Sequence, residues 1–135
     1  MPFTGAMHTE WLPDGLLMRV LEAPVFTDSK GRRWTIKQGR IIDGASIPRP
    51  FWSITGGPYE GLYRTPAGLH DDAYNTLGVA KLDADLMLLE ACLEMGCPRE
   101  LAQVLYEGVR LFGYAAYDED QRAAGIAAGS SQVTG

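Results

Sequence analysis

The chain contains two histidines, and one of them, His70, lies in the stretch AGLHDDAYNT beside several polar residues. Asp71 and Asp72 follow it directly, and Tyr74 comes four positions after it. Because residues four apart share one face of a helix, His70 and Tyr74 form a pair, while Asp71 lies about 100° further round. A histidine acts as a general base near neutral pH when a carboxylate accepts a hydrogen bond from its second ring nitrogen. The stretch therefore raises two alternatives, a proton-transfer site or the solvated end of a helix.

Two carboxylates are candidates for orienting that histidine. Asp85 lies on the next predicted helix, and Asp43 opens the loop DGASIPR. Arg49, at the end of this loop, suits either the stabilisation of developing negative charge or a bidentate ion pair with Asp71 or Asp85. The candidate catalytic set is His70, Asp85, Asp43, Tyr74 and Arg49.

Asp71 is also the candidate metal ligand. A carboxylate beside the histidine suits a hard divalent cation such as calcium, whose other ligands would be carbonyl oxygens and water. The glycine-rich segment TGGPYEG, just upstream, is a source of such carbonyls. The alternative is that His70 cross-links helices while the neighbouring acids are solvated, and in either case we expect Asp72 on the solvent side.

A third polar feature is Arg110 in the segment YEGVRLFG. An arginine on a largely apolar helix needs a buried partner or an exposed edge, and we predict an ion pair that fixes this helix to the DGASIPR loop. Serine-nucleophile, phosphate-loop and dinucleotide-binding motifs do not occur in the sequence.

The sequence patterns around these residues predict an α+β fold. Segments 14–42 alternate in the manner of strands around the turn DSKGR, which indicates a small N-terminal antiparallel β-sheet or hairpin. Apolar periodicity then predicts a three-helix C-terminal bundle, with helices over 62–76, over 83–94 and from Pro98 onward. We expect one domain over 1–120, followed by a tail over 121–135 that is flexible or ordered by a partner.

Composition limits the classes of function. The chain has 135 residues, 46% of them hydrophobic, and a net charge of -5, so we expect a single globular domain and no nucleic-acid partner. Residues 19–49 hold seven basic residues against three acids, whereas residues 50–135 hold five against twelve, a bipolar pattern that favours docking to another protein or self-association. Two cysteines five residues apart predict neither a disulfide framework nor a zinc site.

Localisation is an expectation from the same composition. No apolar run reaches the roughly 18 residues that a transmembrane helix needs, and the first residues lack the basic start and apolar centre of a signal peptide. We therefore expect no transmembrane segment and a product made in the cytoplasm.

Taken in order, the motifs DGASIPR, HDDAY, AD and YEGVRLFG resemble the family known as domain of unknown function 1353, found in phages, prophages and bacteria. The resemblance covers about residues 12–113. It implies a protein made in the host cytoplasm and able to enter a phage particle, but it implies no established activity. Two departures are Asp72, where an apolar or aromatic residue is more usual, and Lys81 as the basic residue before AD. The residues that match the family pattern are Asp43, Ser46, Arg49, His70, Asp71, Tyr74, Asp85 and Arg110.

The pattern HDxxY after a glycine-rich loop is also similar to the site of secreted calcium-dependent phospholipases. That likeness implies a histidine that activates water and an adjacent aspartate that binds calcium. The sequence lacks the dense cysteines and the full calcium loop of those enzymes.

Two hypotheses of function follow. The first is a His/Asp-based, metal-assisted hydrolase that acts on a lipid or cell-envelope ester or amide. The second is a non-enzymatic virion or assembly component, with other virion proteins or further copies of itself as partners, in which the same polar cluster is structural.

Overall fold

The computed structural model describes residues 2–15, 17–42 and 64–134, and these form short strands followed by helices. The strands are β1 (Phe3–Thr4), β2 (His8–Trp11), β3 (Met18–Glu22), β4 (Val25–Thr27), β5 (Arg33–Trp34) and β6 (Ile41–Ile42). The helices are α1 (Arg64–Tyr74), α2 (Lys81–Glu94), α3 (Arg99–Phe112) and α4 (Tyr114–Thr134). The α+β class predicted from the sequence is confirmed, and the described residues contain four helices in place of the predicted three.

The predicted hairpin around DSKGR is confirmed as β4 and β5. The strands pair antiparallel, with Phe26 opposite Trp34. Asp28 organises the turn, because its carboxylate accepts bonds from the backbone N–H groups of Lys30 and Arg32, each at 2.9 Å, and from the Trp34 indole at 3.0 Å. These bonds lower the pKa of Asp28 against the opposing effect of its burial. The turn is therefore a rigid unit.

The strands form two small antiparallel sheets, in the orders β1-β4-β5 and β2-β3-β6. The sequence did not indicate β1 and β2, because strands of two and four residues carry little periodicity. Met18 and Val20 alternate inward on β3 and are fully buried. One face of each sheet therefore contributes to the core.

The helices pack on these sheets and on one another. One apolar cluster joins sheet residues such as Phe26 and Trp34 to Leu69 of α1 and Met87 of α2. A second cluster lies among α1, α2 and α3 and includes two free, buried cysteines, Cys92 and Cys97. Burial raises the pKa of both thiols, so they behave as apolar filling.

The fourth helix, α4, is a correction to the three-helix prediction. It runs through residues 121–134, which the sequence suggested as a tail. Its alanine-rich sequence has high helix propensity but no long apolar stripe, which is the signal on which the prediction depended. Polar contacts hold it in place: the Tyr117 hydroxyl donates to Val79 O at 2.7 Å, and the Gln121 amide donates to Tyr74 O and Thr76 O, both at 2.8 Å.

In the part of the chain that the structure describes, no helix is long and apolar enough to cross a bilayer.

Candidate functional site

A fully buried carboxylate, Asp85 on α2, contacts three of the polar residues that the sequence singled out, His70, Tyr74 and Arg110. Its Oδ1 accepts hydrogen bonds from His70 Nε2 and from the Tyr74 hydroxyl, both at 2.7 Å. Its Oδ2 accepts bonds from Lys81 Nζ at 2.8 Å and from an Arg110 Nη at 2.9 Å. These five residues, called the Asp85 cluster below, bring α1, α2 and α3 together at one point.

The partners of Asp85 determine its ionisation. Burial acts to raise the pKa of this carboxyl, but hydrogen bonds from His70, Lys81 and Tyr74 hold the pKa well below its usual range. Asp85 is therefore a carboxylate at neutral pH and can only accept hydrogen bonds. Its two oxygens have different partners: Oδ1 accepts hydrogen bonds from a histidine and a tyrosine, whereas Oδ2 accepts them from two cationic side chains.

The tautomer of His70 follows from this contact. Because Asp85 only accepts, the ring proton lies on Nε2, and Nδ1 carries the lone pair. The ring is fully buried, and Nδ1 has no hydrogen-bond partner among residues 2–15, 17–42 and 64–134. Burial lowers the pKa of His70 despite the adjacent carboxylate, so the ring is neutral at pH 7. The result is a neutral, oriented imidazole whose basic nitrogen receives no hydrogen bond from a described residue.

Tyr74 completes the Oδ1 side. It comes one helical turn after His70, and the two rings lie 4.2 Å apart between centroids, which confirms the predicted pairing on one helix face. Burial and the neighbouring Asp85 raise the pKa of Tyr74, so its hydroxyl stays protonated and donates. Tyr74 therefore fixes the orientation of the carboxylate.

The two cations approach Asp85 from α2 and α3. Lys81 lies one turn before Asp85 and also donates to Val109 O at 2.7 Å, so it caps the end of α3. The Arg110 side chain is 28% exposed, and its contact with Asp85 raises its pKa. Among the described residues, Arg110 pairs with Asp85 and so joins α3 to α2. The DGASIPR loop, with which the sequence predicts an ion pair of Arg110, lies outside the described residues.

Lys81 was the least anticipated member of the cluster. The sequence marked it only as the basic residue before AD. Its spacing of four residues from Asp85 was the available signal, because such pairs are adjacent on a helix.

Of the two acids beside His70, Asp72 lies in a different environment from the predicted one. Asp72 is buried and forms an ion pair with Arg40, and it also accepts a bond from the backbone N–H of Lys37 at 3.4 Å. The expectation that Asp72 faces solvent is wrong, because a cation in the loop between β5 and β6 reaches it. Asp71 is buried as well, and its backbone carbonyl accepts a bond from the Asn75 amide at 2.9 Å.

Whether a metal fits this site depends on the oxygen and nitrogen donors around Asp71. Calcium requires six to eight oxygen ligands. Within residues 2–15, 17–42 and 64–134, no group of three or more His, Cys, Asp or Glu residues could hold a metal ion. The described donors near Asp71 do not make a calcium site, and its role as a metal ligand stays a prediction. The glycine-rich segment TGGPYEG, together with Asp43, Ser46 and Arg49, lies outside the described residues.

The backbone of Gly113, between α3 and α4, lies close to the Tyr74 side chain at one side of the Asp85 cluster. A Cβ placed there would lie 2.7 Å from the Tyr74 hydroxyl and 2.5 Å from Val109 O. The final glycine of YEGVRLFG is therefore required so that the α3–α4 junction can lie against Tyr74.

Comparison with known proteins identifies a family. The family model described as "Protein of unknown function (DUF1353)" matches residues 18–109. The chain is similar to "Uncharacterized protein y4jT" of Sinorhizobium fredii (strain NBRC 101917 / NGR234), with 35% identity over 88 residues, or 65% of this chain. That match covers 26% of the relative's length, so the chain spans about a quarter of it. No solved structure matches the chain.

Proposed function

This chain belongs to the DUF1353 family of proteins of unknown function, and on that premise we propose that it is a hydrolase in which His70 is the general base. The observation that supports the proposal is the state of the imidazole: Nε2 is hydrogen-bonded to Asp85, while Nδ1 is buried and accepts no hydrogen bond from the part of the chain that the structure describes. A neutral imidazole oriented by a carboxylate is the arrangement that general-base catalysis requires.

The proposed reaction is the attack of water on an ester or amide carbonyl. His70 Nδ1 takes a proton from the water as its oxygen bonds to the carbonyl carbon. The resulting imidazolium keeps its Nε2–H bond to Asp85, whose negative charge stabilises it. Nδ1 then returns the proton to the leaving alkoxide or amine as its bond to carbon breaks. Tyr74, Lys81 and Arg110 hold Asp85 in place and do not touch the substrate.

The proposed substrates are lipid or cell-envelope esters and amides, encountered in a phage or prophage setting. The spacing of His70, Asp71 and Tyr74 supports this choice, since it is similar to that of secreted phospholipases. Asp71 is the residue we propose to test for a divalent cation, and the steps above do not depend on one.

The central test is a hydrolysis assay with wild-type protein and the variant His70→Gln. A glutamine amide can still donate to Asp85, but it has no basic nitrogen. The substrates are nitrophenyl esters of short and long acyl chains, phospholipid vesicles and peptidoglycan, each with calcium and with a chelator. We expect turnover of at least one class, reduced by on the order of 100-fold or more in the variant.

The control is His8→Gln, which removes the exposed histidine on β2 and should leave turnover unchanged. Turnover that is equal in wild type and His70→Gln, or absent with every substrate class, would contradict the hydrolase proposal.

A second candidate is favoured by the complete burial of His70, Tyr74 and Asp85. In this alternative, the chain is a virion or assembly component whose cluster only joins the helices. Quantitative mass spectrometry of purified phage particles tests it. A fixed number of copies per particle, combined with wild-type assembly by His70→Gln, would support a structural role, and absence from the particles would contradict it.

A further inference from the structure

A surface cavity of about 450 Å³ lies between the loop that joins β5 to β6 and one face of α4. Lys37 and Arg40 of the loop, Asn75 after α1 and four alanines of α4 line it. We call it the α4 cavity. Its volume falls in the range of pockets that bind small molecules, and its described lining contains two cations and no acid.

A β-turn holds the two cations of this lining. The backbone N–H of Arg40 donates to Lys37 O at 3.1 Å, and Gly39 between them has a φ of 85°, as the third position of a type II turn requires. The turn is anchored on β3, because the Gly39 N–H donates to Val20 O at 2.7 Å and the Val20 N–H donates to Arg40 O at 2.9 Å. The ends of such a turn lie within about 7 Å of each other, so both cations start from adjacent points on a fixed backbone.

Asp72 of α1 orients the Arg40 side chain. Its buried carboxylate contacts Arg40 Nε, and the arginine side chain is only 19% exposed. The part of the chain that the structure describes gives neither Nη group of Arg40 an acceptor. The outer edge of a positioned guanidinium therefore keeps its N–H donors for a ligand.

The opposite wall of the cavity is an alanine face of α4. Ala124 and Ala128 are half-buried and four residues apart, and Ala123 and Ala127 repeat this spacing, so the four share one side of the helix. Methyl groups supply apolar surface but occupy little volume, which leaves the cavity open. A ligand in it meets positive charge on one side and apolar surface on the other.

Two acids near the cavity limit its charge. Asp72 pairs with Arg40, and Asp120 accepts a hydrogen bond from the Asn75 amide at 3.3 Å. Because Asp72 compensates one of the two cations, the cavity has an excess of at most one positive charge. This balance suits a singly charged ligand better than a doubly charged phosphate.

We propose that the α4 cavity binds a small organic carboxylate that carries a short apolar chain. The carboxylate accepts paired hydrogen bonds from the Nη groups of Arg40, a geometry in which guanidinium and carboxylate match, and Lys37 adds a second attraction. The apolar chain packs against Ala124 and Ala128. The inference does not depend on the hydrolase proposal, because no residue of the Asp85 cluster lines the cavity.

The test is an amide NMR titration of the full chain with hexanoate, compared with butyrate, inorganic phosphate and hexanol. We expect hexanoate to produce saturable shifts in the turn at residues 37–40, in Asn75 and in residues 123–128. Butyrate should bind more weakly, because it buries less apolar surface. Phosphate lacks the chain and hexanol lacks the charge, so each should bind at least about tenfold more weakly than hexanoate.

Three substitutions separate the parts of the site. Arg40→Lys keeps a charge for Asp72 but loses the paired donors, and it should weaken hexanoate binding about tenfold. Lys37→Gln should weaken binding about two- to fivefold, the effect of an exposed ion pair. Ala124→Leu fills the cavity and should abolish binding.

Two matched controls lie outside the lining. Arg33→Gln removes an exposed cation on β5, and Ala115→Leu enlarges an exposed alanine on α4. Both should leave hexanoate binding unchanged. The amide spectrum establishes that each variant is folded, and Lys37→Gln and Ala124→Leu still test the site if Arg40→Lys does not fold.

An absence of saturable shifts with hexanoate, or shifts confined to other parts of the chain, would overturn the proposal. Equal affinity for hexanoate and phosphate, or for hexanoate and hexanol, would do the same. So would hexanoate binding that is unchanged in Ala124→Leu.

Discussion

Asp85 shows how a buried charge can be retained in a small core. A carboxylate removed from water is tolerated when its oxygens are filled by donors, and here four donors occupy it. Two of the donors are cations, so the cluster carries one more positive than negative charge while His70 is neutral. Removing the carboxylate therefore leaves two cations facing each other with no counter-charge.

The first prediction concerns that carboxylate. Asp85→Asn should lower the free energy of unfolding by about 3–5 kcal/mol, the usual penalty for breaking a buried ion pair from one side. Urea titration measures it. The control is Asp83→Asn on the same helix, whose carboxylate is half-exposed in its contact with Arg32 and should cost about 1 kcal/mol or less. Equal losses in the two variants would contradict a central role for Asp85.

The members of this cluster were predictable from the sequence to different degrees. The pairing of His70 with Tyr74 follows from helical spacing, and Asp85 was one of two named partners. The burial of Asp72 was not predictable, because its partner Arg40 lies in a loop 32 residues earlier and only tertiary packing brings them together. Short-range periodicity carries no information about such a contact.

At the scale of elements, the Asp85 cluster can form only if the α3–α4 junction lies close against Tyr74. A second prediction follows, that Gly113→Ala destabilises the protein by about 1–3 kcal/mol, because the new methyl group would overlap the Tyr74 hydroxyl and Val109 O. Thermal or urea denaturation measures the loss.

The matched control is Gly125→Ala within α4. A Cβ at Gly125 has Leu77 Cδ1 at 3.9 Å as its nearest contact, which is an ordinary distance. This variant should be neutral or more stable by up to about 1 kcal/mol, since alanine favours helix over glycine. Destabilisation by both changes, or by neither, would show that close approach at Gly113 is not the cause.

Helix α4 is the helix that could not be located from the sequence, unlike α2 and α3. α2 and α3 were located to within about two residues, because both have apolar periodicity and a glycine follows each of them. α4 lacks the apolar periodicity, and its position depends on hydrogen bonds from Tyr117 and Gln121 to backbone groups around the end of α1. Those acceptors exist only once α1 has ended there.

For the molecule as a whole, the buried histidine couples folding to pH. The pKa of His70 is lowered on folding, so between about pH 6.5, its usual value, and the lower folded pKa, the unfolded chain binds a proton that the folded chain does not. Stability is therefore full above pH 6.5 and falls as the pH drops through this window, by up to about 1.4 kcal/mol per pH unit. The lowered pKa of Asp85 acts in the same direction at lower pH, below about 4.

The third prediction concerns the decrease in the free energy of unfolding between pH 7 and pH 5. His70→Gln should remove much of this decrease, whereas His8→Gln should retain it. Urea titrations at a series of pH values give the free energies. A slope that is identical in wild type and His70→Gln would show that His70 does not resist protonation in the folded protein.

The convergence of three helices on Asp85 has a kinetic consequence. His70 lies 15 residues before Asp85 and Arg110 lies 25 after it, so the carboxylate can lose its water shell only when α1, α2 and α3 have all docked. We expect these bonds to form after the folding barrier has been crossed. Weakening them should then leave the folding rate nearly unchanged and accelerate unfolding, so the cluster sets how long a folded molecule lasts.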